Sequence, residues 1–379
     1  MAIDHWLSRI GVAVVVMAAT LSPVGCGDRP PAGRVSASGS GVGGGAGADG
    51  GATLHLEAEW LVPPDASGEP PLAAPVALAV DEARERLYVL ESQPPELRIY
   101  DLKSGAYVGA LGREGDGPGE YRRPIALAVG PGGLAAVLSM SGRVTFWCGD
   151  GGLAGTVRAG AGLATDIVAA RADSFYVKTD LFPPEDVAEF RVVAVDTVLE
   201  RPRFRDLDVA GTEEPGRPYR NHTYAVAATW AGDLLLAPPG PAYTILRVGV
   251  RGEVIQEIGR PEVAPLSRSE EEIEAIRERV RRAFAAVGRA APSGMPIPHY
   301  RAHLARLATA PDASVWALTQ RGDSSTAIID WFEADGEFSG SFAIELRASE
   351  LAVGSADVYL LARSQLDLPG IAVARRPDR

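Results

Sequence analysis

The sequence is poor in the residues that cross-link small proteins or bind metals. Among its 379 residues are only two cysteines, Cys26 and Cys148, which excludes a disulfide framework. Histidine occurs five times and asparagine once, as Asn221. The part after residue 52 contains no CxxC, no HExxH, no Walker loop and no nucleophile elbow. Zinc-finger, metalloprotease, P-loop and serine-hydrolase chemistry therefore have no motif in this sequence.

Positive charge is also scarce. The chain has 37 Lys+Arg against 49 Asp+Glu, so its formal net charge is -12 at pH 7. Binding to a nucleic-acid backbone or to an anionic lipid surface needs a basic face. The composition therefore predicts no nucleic-acid partner, and its acidity is typical of a surface that keeps a protein in solution.

Long apolar runs are limited to one, at residues 10–21. That run is too short to cross a bilayer as a helix. Arg9 precedes it and small residues follow it, which is the pattern of a secretion signal. Residues 1–25 are therefore predicted to be a signal peptide.

A cysteine follows this signal directly. Residues 21–26 read LSPVGC, which resembles a bacterial lipobox: Val24 and Gly25 fit the two places before the cysteine, although Pro23 stands where leucine is usual. The resemblance implies a lipid anchor on Cys26. Ordinary cleavage that leaves Cys26 unmodified is the alternative. The lack of an aspartate after the cysteine favours the outer membrane over the inner one.

Residues 26–52 are rich in glycine, serine and alanine and can bury almost no apolar surface. They are predicted to form a flexible linker behind the lipid anchor. The linker contains GSGVGG at 39–44, which matches the dinucleotide-binding pattern. Because no strand precedes it and no helix follows it, the match predicts no nucleotide site.

Residues 75–124 set the pattern for the rest of the chain. Short apolar runs about ten residues apart, separated by turn-forming residues, predict four antiparallel strands. The segment PVALAV at 75–80 returns as PIALAV at 124–129. Four strands in a repeat of about 40–50 residues are typical of a β-propeller blade. One such sheet would be unstable alone, so several blades must stack.

These repeats resemble a known family. The segments ALAVD, LYVLES, LRIYD and GAYVGALG, with the turn GREGDGPGEYRRP at 112–124, are similar to six-bladed β-propellers of NHL-repeat type, in particular the bacterial propeller lipoproteins. The likeness is clear over the first two blades. It implies an all-β, six-bladed propeller over residues 53–379.

The last repeat of the sequence has only three predicted strands. Residues 53–60 form an isolated strand before the first full blade. We predict that this strand supplies the missing fourth strand and closes the propeller, since ring closure removes open sheet edges.

One helical insertion is predicted at residues 267–290, between blades four and five. Capping boxes at Ser267/Glu270 and Ser269/Glu272 precede apolar residues at helical spacing. A connection at this place crosses one mouth of a propeller, so the helix is expected to cover part of that face. A coiled-coil or partner-binding helix is the alternative.

The candidate site lies where polar residues precede inner strands. His222 directly precedes the inner strand of blade four, and His299 lies shortly before that of blade five. Such residues surround a mouth of the propeller, and concave places with a few polar groups usually bind ligands. Loop histidines without a ligand are the alternative. The predicted ligand-binding residues are Asn221, His222, His299, Tyr300 and Arg301.

Enzymes with this fold imply particular metal ligands. Peptide-amidating lyases use three channel histidines for zinc, but here His303 belongs to the same segment as His299, so a third blade contributes none. Gluconolactonase-type propellers use glutamate, asparagine and aspartate, and this chain has a single asparagine. We therefore predict no metal and no cofactor.

These observations predict a monomeric, lipid-anchored propeller in a bacterial cell envelope, periplasmic or on the cell surface. Its expected work is the binding of a protein, peptide or glycan. The alternative is a propeller hydrolase or lyase with its site at the central channel, with or without a metal.

Overall fold

The computed structural model describes residues 44–45, 53–64, 70–159, 163–170, 173–180, 188–194, 197–199, 225–238, 240–249, 252–286, 290–291, 297, 299–323 and 325–377. The predicted signal peptide, Cys26 and most of the predicted linker lie outside these residues, as do Asn221 and His222.

The described chain folds into six blades of four antiparallel strands each, and the sheet of blade five is extended by two further short strands. The six-bladed all-β architecture predicted from the sequence is thereby confirmed. From the inner to the outer strand, blades one to three are Pro75–Asp81, Arg86–Ser92, Pro95–Asp101, Tyr107–Leu111; Pro124–Val129, Ala135–Ser139, Arg143–Trp147, Leu153–Arg158; and Leu163–Ala169, Ser174–Asp180, Ala188–Ala194, Thr197–Leu199. Blades four to six are Ala225–Ala228, Leu234–Ala237, Thr244–Val248, Val254–Gly259; Leu304–Thr309, Val315–Thr319, Ala327–Phe332, Phe338–Ile344; and Arg347–Val353, Asp357–Arg363, Pro369–Arg375, Ala58–Val62.

The inner strands form a ring. Each contacts the inner strand of the next blade, and that of blade six contacts that of blade one. Alternate side chains of every blade therefore pack against its two neighbours. Between blades five and six the rings of Trp316, Trp331 and Phe342 stack with centroids 5.6 to 6.0 Å apart. Burial of a large side chain of this kind is worth about 1.5–3 kcal/mol, so the inter-blade layers hold the ring together.

The N-terminal segment differs in detail from the prediction. Residues 53–60 are not one strand: Thr53–His55 pairs in parallel with Phe338–Ile344 of blade five, and Ala58–Val62 pairs antiparallel with Pro369–Arg375 of blade six. The strand must break between them because the two outer edges belong to separate sheets. The short strand Gly44–Gly45 pairs in turn with the first of these strands.

The turn at 112–124 joins blade one to blade two and shows how this chain connects its blades. Gly112 has φ +77°, and a Cβ there would lie 2.3 Å from the Tyr121 ring, so glycine is required. The indole Nε1 of Trp147 donates to the Tyr121 hydroxyl at 2.6 Å. The two arms of the turn, Arg113–Glu114 and Glu120–Tyr121, pair in parallel.

The helix occupies the equivalent connection between blades four and five. Helix α1 spans Glu270–Ala286 and begins with one of the two predicted capping boxes: Ser269 N donates to Glu272 Oε2 at 2.9 Å, and Glu272 N donates to Ser269 Oγ at 3.2 Å. Ser267 and Tyr300 form an isolated antiparallel β-bridge at the base of this connection. The two arms of the shorter turn also pair with each other, but in parallel. Among its described side chains only Ile273 is fully buried, and most of the others are exposed. Within the described part of the chain, no helix has both the length and the apolarity needed to cross a bilayer.

Candidate functional site

Three of the five predicted site residues are described by the structure. His299 is exposed, while Tyr300 and Arg301 are half-buried. All three lie on the segment that leads into the inner strand of blade five, Leu304–Thr309. The predictions for Asn221 and His222 fall outside the described residues.

This segment is bound to the start of the helix by its backbone. Arg268 N donates to His299 O at 2.7 Å, and Arg301 N donates to Leu266 O at 2.7 Å. The Arg268 guanidinium also donates to Tyr300 O. Burial lowers the pKa of Arg268, and the nearby Arg301 charge acts in the same direction. These hydrogen bonds attach the helical insertion to blade five, so the segment has a structural role.

A buried network of charged and polar side chains joins blades four and five. Asp330 is fully buried, and its Oδ2 accepts from the Tyr243 hydroxyl at 2.7 Å and from Arg260 Nη1 at 3.3 Å. Its Oδ1 accepts from the Ser341 hydroxyl at 2.6 Å and from Arg321 Nη2. Two arginines thus share one carboxylate, and the carboxylate receives four hydrogen bonds. Burial first, and the Asp330 charge second, raise the pKa of Tyr243 far above its usual value, so its hydroxyl remains a donor.

His303 borders the same network and is buried, at 2% exposure. Its Nε2 lies 2.8 Å from Pro241 O, and because a carbonyl only accepts, Nε2 must carry the proton. Its Nδ1 has no hydrogen-bond partner among the residues that the structure describes. Burial lowers the pKa of this imidazole. The sequence placed His303 in the same segment as His299, and the structure separates them into a buried core histidine and an exposed one.

Three charged side chains that the sequence analysis missed stand on inner strands of the propeller. In five of the six inner strands the pairing register shifts near the strand start, as at a β-bulge. The first residue after the shift is alanine in blades one and two, at Ala77 and Ala126. In blades three, five and six it is Asp166, Arg306 and Glu350. We call these three residues the channel triad.

The triad is held by specific contacts. Arg306 Nε and Nη2 lie 2.7 and 2.5 Å from the same atom, Glu350 Oε1, and Arg306 Nη1 donates to Ala305 O at 2.8 Å. Asp166 Oδ1 accepts from Ile167 N at 2.8 Å. The Arg306 side chain is 47% exposed although it stands on an inner strand. Since neighbouring blades cover the faces of that strand, this exposure is to the central channel.

The three charges act on one another. Burial raises the pKa of Asp166, and the charges of Arg306 and of Lys178, a buried residue opposite Asp166 on the next strand, oppose the rise. Burial also raises the pKa of Glu350, Arg306 opposes it, and Asp166 adds to it. Arg306 and Glu350 are thus in direct contact, and Asp166 lies at the equivalent register position of the inner strand of blade three. Two carboxylates with raised pKa values beside an arginine can accept hydrogen bonds and exchange protons.

A signal for the triad was present in the repeats. Aligned on their inner strands, the segments read PVALAV, PIALAV, ATDIVA, LARLAT and ASELAV, with the triad at the third letter of the last three. Metal ligands are not gathered in the same way: the described residues contain no group of three histidine, cysteine, aspartate or glutamate side chains able to hold an ion.

Comparison with known proteins supports the fold and no more specific relationship. No protein-family model matches the sequence, and no curated protein matches it. Among solved structures, a member of the DUF4221 family from Bacteroides vulgatus superposes with a TM-score of 0.56 at 10% identity, covering 85% of this chain and 98% of its own. A Bacteroides fragilis protein named as an exported protein gives 0.52 at 13% identity over 88% of this chain and 97% of its own. U3-55K gives 0.51 at 9% identity over 84% and 98%.

Proposed function

We propose that the chain is a ligand-binding module of a bacterial cell envelope, lipid-anchored through Cys26, whose binding site is the channel triad. The NHL-type character of the repeats fits this assignment. The observation that carries the proposal is the contact between Arg306 and Glu350 on neighbouring inner strands, where Arg306 stays exposed, with Asp166 at the equivalent register position of a third inner strand. Concave sites with a few convergent polar groups are the usual places for small ligands.

The proposed location rests on the sequence. The apolar run at 10–21 and the segment LSPVGC favour export and acylation. The Bacteroides fragilis propeller, which has the same fold, is itself named as an exported protein. The protein, peptide or glycan partners expected from the sequence remain candidates for the ligand.

The test compares the wild type with a variant whose triad is neutral. In the variant Asp166→Asn/Arg306→Gln/Glu350→Gln the two carboxylates keep their shapes as amides, Arg306 is shortened to a neutral side chain, and the three charges of the triad are removed. Both proteins are dialysed against an envelope extract, and the retained compounds are identified by mass spectrometry. Compounds held by the wild type and lost from the variant support the proposal. Equal retention by two folded proteins would overturn it.

A hydrolase or lyase is the second candidate, and one observation favours it. Burial raises the pKa values of both Asp166 and Glu350. A carboxyl group that holds its proton at higher pH can act as a general acid, and its ionised neighbour as a base. An activity found with a compound from the dialysis experiment should then be lost in Glu350→Gln and in Asp166→Asn.

A further inference from the structure

Two members of the channel triad, Arg306 and Glu350, touch each other, and the atoms that they leave open bear on the kind of ligand. Arg306 Nε and Nη2 lie 2.7 and 2.5 Å from Glu350 Oε1, and Nη1 donates to Ala305 O at 2.8 Å. A guanidinium group has five N–H donors, so one hydrogen on Nη1 and one on Nη2 remain. Both contacts fall on Glu350 Oε1, and Oε2 accepts no hydrogen bond from the residues that the structure describes. The pair therefore offers two donors and one acceptor oxygen side by side.

Solvent reaches this pair. The Arg306 side chain is 47% exposed and the Glu350 side chain 16%, although both residues stand on inner strands. Burial acts to lower the pKa of Arg306, but its hydrogen bond to Glu350 and the Glu350 charge outweigh this effect and raise the pKa. A guanidinium group that is accessible and also partly desolvated lies in a recess. Recesses with a few polar groups are the usual places for small ligands.

The formal charges on these inner blade positions cancel. Arg306 is opposed by Glu350 in direct contact. On blade three, Asp166 is paired in register with the buried Lys178, which is again one negative and one positive group. An anion at the open atoms would be repelled by Glu350 and by a chain of net charge -12, and a cation would be repelled by Arg306. An uncharged ligand meets neither repulsion.

From these contacts we infer that the Arg306–Glu350 pair binds two neighbouring hydroxyl groups of an uncharged sugar. Each hydroxyl both accepts and donates, so adjacent hydroxyls can accept from Arg306 Nη1 and Nη2 and donate to Glu350 Oε2. A peptide group is planar and trans, so its N–H and C=O point in opposite directions and cannot both face the pair. Hydrogen bonds to ionised groups are about twice as strong as neutral ones, which favours binding through this pair. The inference rests on the proposed function and names its ligand class.

The probes are the methyl glycosides of glucose, galactose and mannose, which present neighbouring hydroxyls in different arrangements. For each sugar, the matching uronic acid and 2-amino sugar keep the ring and add a negative or a positive charge. Titration of the wild type, followed by NMR of the ligand, should show saturable binding of at least one neutral glycoside. That glycoside should bind at least about tenfold more tightly than both of its charged counterparts. 2-Methoxytetrahydropyran, a ring of the same kind without hydroxyl groups, should not bind.

Two variants test the pair itself. Glu350→Gln keeps the shape of the side chain but removes its charge, and Arg306→Lys keeps a charge but removes the two-pronged donor group. Each should weaken binding of the neutral glycoside at least about tenfold. The matched control is Glu257→Gln, a change at an exposed carboxylate on the outer strand of blade four, which should leave binding unchanged. Circular dichroism and the melting temperature show whether each variant is folded.

Several results would overturn the inference: no binding of any neutral glycoside, equal or tighter binding of a charged counterpart, or undiminished binding in both folded variants. If a variant does not fold, the comparison of neutral and charged sugars on the wild type decides alone. Tighter binding of a trisaccharide than of its methyl glycoside would indicate a glycan chain as the source of the hydroxyls. Equal binding of the two would indicate a free sugar, and either result supports the ligand class.

The dialysis experiment separates this inference from the proposed function. If the compounds that the triad variant loses are only ions or peptides, the sugar inference fails while the proposed function stands. If the folded triad variant retains every compound that the wild type retains, the proposed function itself fails.

Discussion

Replacing the carboxylate that joins blades four and five gives the sharpest test of the packing described above. Asp330→Asn keeps the size of the side chain but removes its charge. Arg260 and Arg321, at 3% and 9% side-chain exposure, would then lose the buried carboxylate that they share, and Arg260 would keep only its contact with the half-exposed Glu262 among the ion pairs of the described residues. The amide nitrogen of asparagine would also face an arginine, because each carboxylate oxygen accepts from one arginine and one hydroxyl.

The expected loss follows from these contacts. Breaking a buried ion pair by neutralising one partner destabilises a protein by about 3–5 kcal/mol. We expect Asp330→Asn to lose an amount in this range. The matched control is Asp367→Asn, which removes a carboxylate that is 70% exposed and paired only with surface arginines. An exposed pair is worth about 0–1 kcal/mol, so this control should change stability little.

Urea unfolding followed by tryptophan fluorescence provides the measurement, since Trp316 and Trp331 lie in the adjoining inter-blade layer. The double variant Asp330→Asn/Arg260→Met completes a cycle, and its loss should be smaller than the sum of the two single losses because the residues are coupled. A loss below about 1 kcal/mol for Asp330→Asn, or strict additivity with Arg260→Met, would refute the argument that one buried carboxylate neutralises these arginines.

Three further predictions follow from other parts of the chain. Burial lowers the pKa of His303 in the folded state, so the unfolded chain binds more protons below about pH 6.5, and the free energy of unfolding should fall as the pH decreases from there. His303→Gln keeps a donor for the bond to Pro241 O and should flatten that part of the pH–stability curve. An unchanged curve would contradict the assignment of this pH dependence to His303. Deleting residues 53–60 should cause a large loss of stability or aggregation, because two sheet edges lose a paired strand. Deleting residues 27–52 should leave the melting temperature nearly unchanged. Equal effects of the two deletions would argue against a closing role for residues 53–60. Radiolabelled palmitate should enter the wild type and not Cys26→Ser, and equal labelling would rule out the lipid anchor.

The blades were predictable because their strands repeat a local pattern. Alternating apolar residues bounded by turns specify a strand without knowledge of its neighbours, and PVALAV recurs as PIALAV with the same surroundings. The capping box at Ser269 and Glu272 is local in the same sense, and it begins the helix where predicted.

The polar residues that matter most were not predictable in this way. Asp330 stands in the apolar segment AIIDWF, where its partners come from blade four and from elsewhere in blade five, far along the chain. The triad depends on register shifts in the inner strands, and a shift of one residue changes the side of a strand on which a side chain lies. The predicted site followed from chain position alone, which could not reveal the charged side chains of Asp166 and Glu350 on the inner strands.

The place where the N-terminal segment joins the fold determines which part of the propeller would be connected to a membrane anchor. Gly44–Gly45 and Thr53–His55 add to the outermost strand of blade five, and Ala58–Val62 continues on the outermost strand of blade six. A lipid on Cys26 would therefore be connected to the propeller through the outer edges of these two blades. A pulling force on that tether would be carried by the hydrogen bonds of two neighbouring sheets instead of one.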